Sequence, residues 1–200
     1  MKKTIIIFLC VAFAASVLTA CSSDASGNET ETQPKTVHAI PKDDTSFKLC
    51  YTQSDSLNPY KCETQNNQIL SQLVFESLFC IDDSYKANRN IAEKYEYPNS
   101  TTLSVTIPSR LSFSDGSSLT ADDITYSFRN AVKSSYWGSS LSGISSCYAV
   151  SSTVVNFQLE YPNSYAHNLL IFPIISESSE TSDYPIGSGR YYFAEENEGT

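Results

Sequence analysis

Basic residues are scarce in this chain of 200: 13 Lys and Arg stand against 22 Asp and Glu, a formal charge of −9. If Lys2 and Lys3 leave with a leader that carries no acid, the charge falls to −11. A surface that acidic repels a polyanion, which argues against nucleic acid as a partner. Histidine is scarcer still. There are two, His38 and His167, and neither stands near a second histidine or a cysteine pair at metal-ligand spacing. The His-Glu-x-x-His helix, the nucleophile elbow, the Ser-x-x-Lys pair and the Walker loop are all missing from the sequence. No enzyme is expected from what remains. The longest apolar run, Ile5 to Val17, is too short to cross a bilayer comfortably, which takes about 20 residues.

That run is nonetheless informative. Preceded by Lys2-Lys3 and followed by Leu18-Thr19-Ala20-Cys21, it resembles a bacterial lipoprotein leader. Residues 1–20 are therefore read as a signal peptide, and Cys21 as the thiol that receives a diacylglycerol. The mature chain would be lipid-anchored to the cell membrane on its extracytoplasmic face, at the cell surface or in a periplasm. Residues 21–44 are mostly Ser, Thr, Asn, Asp, Glu and Gln. They bury too little apolar surface to offset the entropy of ordering, so a flexible tether is expected, with His38 a solvated residue on it.

A folded unit is expected over residues 45–200. Phe47, Leu49 and Tyr51 alternate as a first strand, and Gln53 to Tyr60 is a polar loop containing Pro59. Ile69, Leu70, Leu73, Val74 and Ser77 recur at helical spacing within a helix from about residue 64 to 78. Asp82-Asp83 marks a turn. Leu103, Val105 and Ile107 alternate in a strand that Pro108 stops, and a short extended piece, Leu111 to Phe113, runs into a tight turn at Asp115-Gly116. Thr120 then caps a helix, with Asp123 in capping-box register and Ile124, Phe128, Ala131 and Val132 on one face. A Ser- and Gly-rich segment, 133–144, holds Tyr136 and the lone Trp137. Two strands follow, Cys147 to Val150 and Thr153 to Leu159, and then a short helix from Asn163 toward Leu170.

Three features invite a chemical reading and favour a structural one. Asp122 and Asp123 point about 100° apart on a helix, which suits a cap better than a catalytic acid pair. Gly187-Ser188-Gly189 lacks the third glycine of a dinucleotide fingerprint, Tyr192 standing there instead, and reads as a turn into a strand. His167 lies among Tyr165, Leu169 and Leu170, as a packed or surface side chain would. Cys50, Cys62, Cys80 and Cys147 match no zinc spacing, so buried free thiols or one bridge are expected rather than a metal site.

Phe113-Ser114-Asp115-Gly116, then Leu119-Thr120-Ala121-Asp122-Asp123-Ile124 and Tyr126-Ser127-Phe128, resemble the signature block of the family 5 extracytoplasmic solute-binding proteins. These are the oligopeptide, dipeptide and nickel receptors of ABC transporters. Leu57-Asn58-Pro59, Val74 to Leu78, Asn90 to Tyr95 and Pro185 to Phe193 agree with the same family, with Ser77 where it usually has Gly and Arg190 where it usually has Pro. The resemblance implies an α/β fold of the type 2 periplasmic-binding-protein kind. Most of lobe I would be present, a mixed sheet with helices plus a smaller inserted α/β subdomain over about 86–180, and the chain would stop before lobe II. It implies capture without catalysis or cofactor, of a peptide above all, for delivery to ABC permease subunits in the membrane. A nickel chelate, a sugar or haem is the alternative cargo, and a lipid-anchored sensory or surface protein the alternative class. By the same resemblance Glu63, Thr64 and Gln65 border the cleft with backbone that could pair with an extended peptide, and Tyr136 and Trp137 supply cleft aromatics.

Overall fold

The computed structural model describes residues 49–179 and 182–194. The leader, Cys21, the tether with His38, and Phe47 lie outside them. Leu49 and Tyr51 are exposed, and no strand among the described residues lies beside them. The expected first strand is therefore not formed over these two residues, since extended backbone needs a neighbour to take its N–H and C=O groups.

Helix α1 (Gln65–Val74) is shorter than its periodicity predicts and turns a different face inward. Asn67, Ser71 and Val74 are buried, whereas Ile69 is 50% exposed. Hydrogen bonding decides the orientation. The Asn67 amide accepts the Thr52 N–H at 2.8 Å and donates to the carbonyls of Thr52 at 3.1 Å and Ser56 at 3.0 Å. The loop over residues 52–56 is thereby strapped to the helix, and a polar residue on the same face as Val74, seven residues on, becomes the helix's anchor.

β1 (Phe79–Ile81) and β2 (Ala87–Arg89) form an antiparallel hairpin across the expected Asp82-Asp83 turn. Asp82 holds that turn by accepting the N–H groups of Ser84 at 2.9 Å and Lys86 at 3.0 Å, while Tyr85 takes a φ of 59°.

Next come β3 (Lys94–Asn99), β4 (Thr102–Thr106), helix α2 (Ala121–Ala131), β5 (Ile144–Ser151) and β6 (Val154–Leu159). The four strands make one sheet in the order β3-β4-β6-β5, each neighbour antiparallel. β3 is an unexpected strand, although Tyr95 and Tyr97 alternate with Lys94 and Glu96: its Tyr95 pairs with Val105 and its Glu96 with Ser104. In the central ladder Leu103 faces Phe157 and Val105 faces Val155, all fully buried. α2 covers that side through Ile124 and Phe128, whose ring meets Phe157 edge to face at 5.9 Å. Val132, beyond the helix end, is 39% exposed and does not share that face.

The cap of α2 is the expected one. Asp123 accepts both the N–H and the hydroxyl of Thr120, at 2.9 and 3.0 Å, and its second oxygen takes the N–H of Glu177 at 3.2 Å. The residues after β6 return across α2, where buried Ser127 accepts the N–H of Ile175 at 3.0 Å and donates to its carbonyl at 3.2 Å. The helix expected from Asn163 is a single 3₁₀ turn, Ala166–Leu169.

His167 on that turn is packed. Its ring stacks on Tyr95 at 4.5 Å, and its Nδ1 lies 3.0 Å from the Tyr97 hydroxyl. Burial pulls its pKa below the ordinary imidazole value. All four cysteines of the described residues are free thiols. Cys62 is buried and Cys147 partly so, but Cys50 and Cys80 are exposed, against the expectation of burial. Cys80 sits on a strand with one buried residue, Phe79, and its own side chain alternates outward.

Candidate functional site

A cleft of about 630 Å³ opens where α1 gives way to β1. Leu73, Phe75, Phe79, Trp137, Ile171 and Pro173 supply its apolar wall. Tyr136 and Tyr191 add rings with polar edges, and Glu76 and Arg190 are the charged residues of the lining.

Close backbone packing builds the wall. The Gly189 N–H donates to the Val74 carbonyl at 2.8 Å and the Tyr191 N–H to the Leu73 carbonyl at 3.3 Å, so the chain leaving Gly187-Ser188-Gly189 lies flat on the end of α1. A β-carbon on Gly189 would stand 2.5 Å from the Leu73 carbonyl oxygen, and one on Gly187 would meet the Phe75 ring at 2.6 Å. Both positions are thus filled by glycine for space. The expected turn is in fact a packing contact. On the other wall, the Tyr60 hydroxyl donates to the Pro173 carbonyl, and the Ile174 N–H donates to the Glu76 carbonyl at 2.7 Å. Tyr60 is buried, which pushes its phenol pKa upward and leaves it a neutral donor.

Tyr136 and Trp137 sit on a run of turns between α2 and β5, and both line the cleft. Ser134 accepts the Tyr136 N–H at 3.2 Å, and the Trp137 carbonyl accepts both the N–H and the hydroxyl of Ser140, at 3.2 and 2.7 Å. The two rings meet edge to face, 4.9 Å apart at 82°. Trp137 also packs against the core, while Tyr136 is 52% exposed. A rigid aromatic corner with one open ring results, suited to stacking or to apolar contact with a polar edge.

Glu63, Thr64 and Gln65 do not line this cleft. They form the start of α1, where the Asp55 carboxylate accepts the Thr64 hydroxyl at 2.6 Å, the Thr64 N–H at 2.8 Å and the Glu63 N–H at 3.1 Å. Those bonds, the Thr64 hydroxyl first, hold Asp55 below the usual carboxylate range. The N–H groups of Glu63 and Thr64 are therefore already engaged. Glu76 was not singled out by sequence reasoning, and Arg190 only as a departure from a family pattern. Leu73 and Phe75 could be seen as apolar, but nothing local says that they face the same space as Pro173.

Among the described residues, no helix is long and apolar enough to cross a membrane, and no group of three His, Cys, Asp or Glu could hold a metal ion.

Residues 86–200 match the family described as bacterial extracellular solute-binding proteins, family 5 Middle. The nickel-binding protein NikA of Staphylococcus aureus is 29% identical over 120 residues, which are 58% of this chain and 24% of that protein. The crystal structure of Staphylococcus aureus NikA in complex with Ni(L-His)2 superposes with a TM-score of 0.59 at 22% identity, covering 70% of this chain and 30% of the other. The murein tripeptide binding protein MppA of Escherichia coli superposes with a TM-score of 0.61 at 21% identity, covering 70% and 34%. The chain thus spans about a quarter to a third of the length of these relatives. At such identities the superpositions establish the fold, a type 2 periplasmic-binding-protein architecture of which part is present.

Proposed function

The chain belongs to the bacterial extracellular solute-binding proteins of family 5, and from that premise we propose that it is part of a lipid-anchored receptor that captures peptides outside the cytoplasm and hands them to an ABC permease. The observation that carries this is the cleft of about 630 Å³ beside α1, lined by apolar side chains together with the polar Gln68, Gln72, Ser77 and Asn90 and closed at one corner by Tyr136 and Trp137. A pocket that mixes apolar walls with amide and hydroxyl groups suits ligands that share a backbone and differ in side chain. Capture would bury the ligand between this wall and a second lobe, so that affinity is linked to closure.

Tyr136 and Trp137 are assigned to ligand contact. Glu63, Thr64 and Gln65 are proposed as rim residues, with their carbonyl and side-chain groups rather than the occupied N–H groups of Glu63 and Thr64 available to a ligand. Residues 1–20 are proposed as the leader, Cys21 as the lipid anchor, 21–44 as the tether, and 45–200 as the part of the binding domain that precedes lobe II, with its insert over about 86–180. Leu18-Thr19-Ala20-Cys21 supports the anchor.

Calorimetric titration of the complete protein with a peptide pool tests this reading. Saturable binding, weakened about tenfold or more by the double substitution Tyr136→Ala, Trp137→Ala, is the expected result. Peptide binding untouched by that change removes the aromatic corner from the site. A nickel chelate is the second cargo to test, because the NikA of Staphylococcus aureus is a nickel-binding protein with 29% identity to this chain. Nickel supplied with histidine, but not nickel alone, is then the ligand to offer.

A further inference from the structure

The four-stranded sheet has two unlike edges. β3, at one edge, carries Lys94, Glu96 and Pro98, the kinds of residue that keep an edge from pairing with another chain. β5, at the other, carries neither charge nor proline. Between Lys133 and Glu160 the sequence has no charged residue and no proline at all, its longest uncharged stretch. Among the described residues, no backbone hydrogen bond ties β5 to a strand other than β6, so its outer side is open. The side chains above and below that edge are apolar. Tyr148 and Val150 are exposed on the face away from α2, because Cys147 and Ala149, which alternate with them, pack toward the core. On the α2 side, the Thr125 hydroxyl lies 3.9 Å from the Cys147 sulfur, and the exposed Val132 stands two turns on along that side of the helix.

We propose that the β5 edge is a docking surface for a second copy of this chain, the two β5 strands pairing antiparallel about a two-fold axis and joining the two sheets into one. Charge decides the occupant. Each copy carries a formal charge of −9, so two copies repel through most of their surfaces, and a charge-free edge is where that cost is least. A basic partner would be drawn instead to acids, which this edge lacks. An antiparallel strand pair is also self-complementary, since each copy offers the other the same N–H and C=O groups. Tyr148 and Val150 of both copies then share one face, an aromatic ring near a β-branched side chain, while Thr125 and Val132 lie between two α2 helices on the other. Pairing with β6 is regular only from Ser146 to Ala149, with an irregularity on either side, so the edge that can be extended is short. A weak dimer results, with a Kd on the order of 10 μM. It does not depend on what the cleft holds.

Sedimentation equilibrium of the complete protein from about 1 to about 200 μM, a range that brackets that Kd, is the test. The expected result is a monomer–dimer equilibrium that the double substitution Tyr148→Lys, Val150→Lys weakens about tenfold or more, because it sets like charges against each other across the two-fold axis. Val132→Lys should weaken it less. Thermal unfolding of the variants at low concentration, where all are monomers, shows that the fold is intact. Hydrogen exchange of the unsubstituted protein adds a readout that needs no variant: amides of β5 should exchange more slowly at high than at low concentration. A monomer over the whole range, growth beyond a dimer, a dimer that the lysines leave unchanged, or β5 exchange independent of concentration each overturns the proposal.

Discussion

The N–H of Gly189 donates to the carbonyl oxygen of Val74 at 2.8 Å, joining the last described segment of the chain to the end of the first helix. The contact admits no side chain, because a β-carbon on Gly189 would lie 2.6 Å from that same oxygen. Gly189→Ala therefore forces two backbones apart, and the expected loss is about 3 kcal/mol, the upper end for overpacking. Urea unfolding of the complete protein measures it, and a loss below about 0.5 kcal/mol would show that the two segments do not pack this closely.

Ser127 is the second such join. Its one hydroxyl serves both the N–H and the carbonyl of Ile175 in a fully buried setting. Ser127→Ala leaves both groups unpaired without changing much volume, and a destabilisation of about 1–3 kcal/mol is expected by denaturant titration. Ser127→Cys, with a weaker donor in the same place, should fall between.

Thr120 and Asp123 give a smaller effect. Removing the carboxylate by Asp123→Ala frees the Thr120 N–H at the helix start and the Glu177 N–H beside it. About 1–2 kcal/mol should be lost, against about 1 kcal/mol for Thr120→Ala, which leaves the carboxylate in place.

The capping pair also marks what the sequence could reveal. Thr120 and Asp123 are three residues apart, so the interaction is local and its spacing alone identifies it. Leu103 and Val105 were equally legible, because a strand with one buried face alternates. Lys94 to Asn99 was less so: Tyr95 and Tyr97 alternate with Lys94 and Glu96, but Pro98 interrupts the pattern in a strand that β4 completes by pairing with it. α1 misled for a similar reason: Ile69 fits the periodicity but stays exposed, and Asn67 is buried by bonds to a loop 15 residues away in sequence. Tyr136 and Trp137 could be nominated by resemblance, yet their sharing of a cleft with Leu73 and Pro173 depends on chain returns that no local pattern encodes.

His167 supplies a pH dependence. Its pKa is lowered in the fold by burial against Tyr95 and Tyr97, so the folded state binds a proton less readily than the unfolded chain, where histidine titrates near about 6.5. Its contribution is complete above that value and is lost as pH falls through the lowered pKa. Melting temperature should therefore drop between about pH 7 and pH 5, and the drop should shrink in His167→Gln. The carboxylates with depressed pKa, Asp55, Asp82 and Asp115, act only at lower pH, which separates the two effects. An unchanged slope in His167→Gln would remove the imidazole as its source.

Thiol reactivity should divide the cysteines. Cys50 and Cys80 are exposed, whereas Cys62 is buried and burial pushes the Cys147 thiol up to about 12. Brief alkylation of the native protein at neutral pH, followed by peptide mass mapping, should mark Cys50 and Cys80 and spare the other two until denaturant is added. Early labelling of Cys147 would contradict the burial of β5 against α2.

The order of strands carries a consequence for how the chain assembles. β4 is hydrogen-bonded to β6, and paired Thr102 and Gln158 stand 56 residues apart in sequence. A polypeptide delivered N-terminus first has β4 and α2 long before the strand that joins them into a layer. Until Leu159 has arrived, the apolar side chains of Leu103, Val105, Ile124 and Phe128 have no ladder to close over. The core is still incomplete at Leu159, because Leu170, Phe172, Ile174 and Ile175 are fully buried in it and Ile175 bonds Ser127, so a ribosome-stalled or proteolysed form ending before Ile175 should be degraded and one extending past it should resist protease.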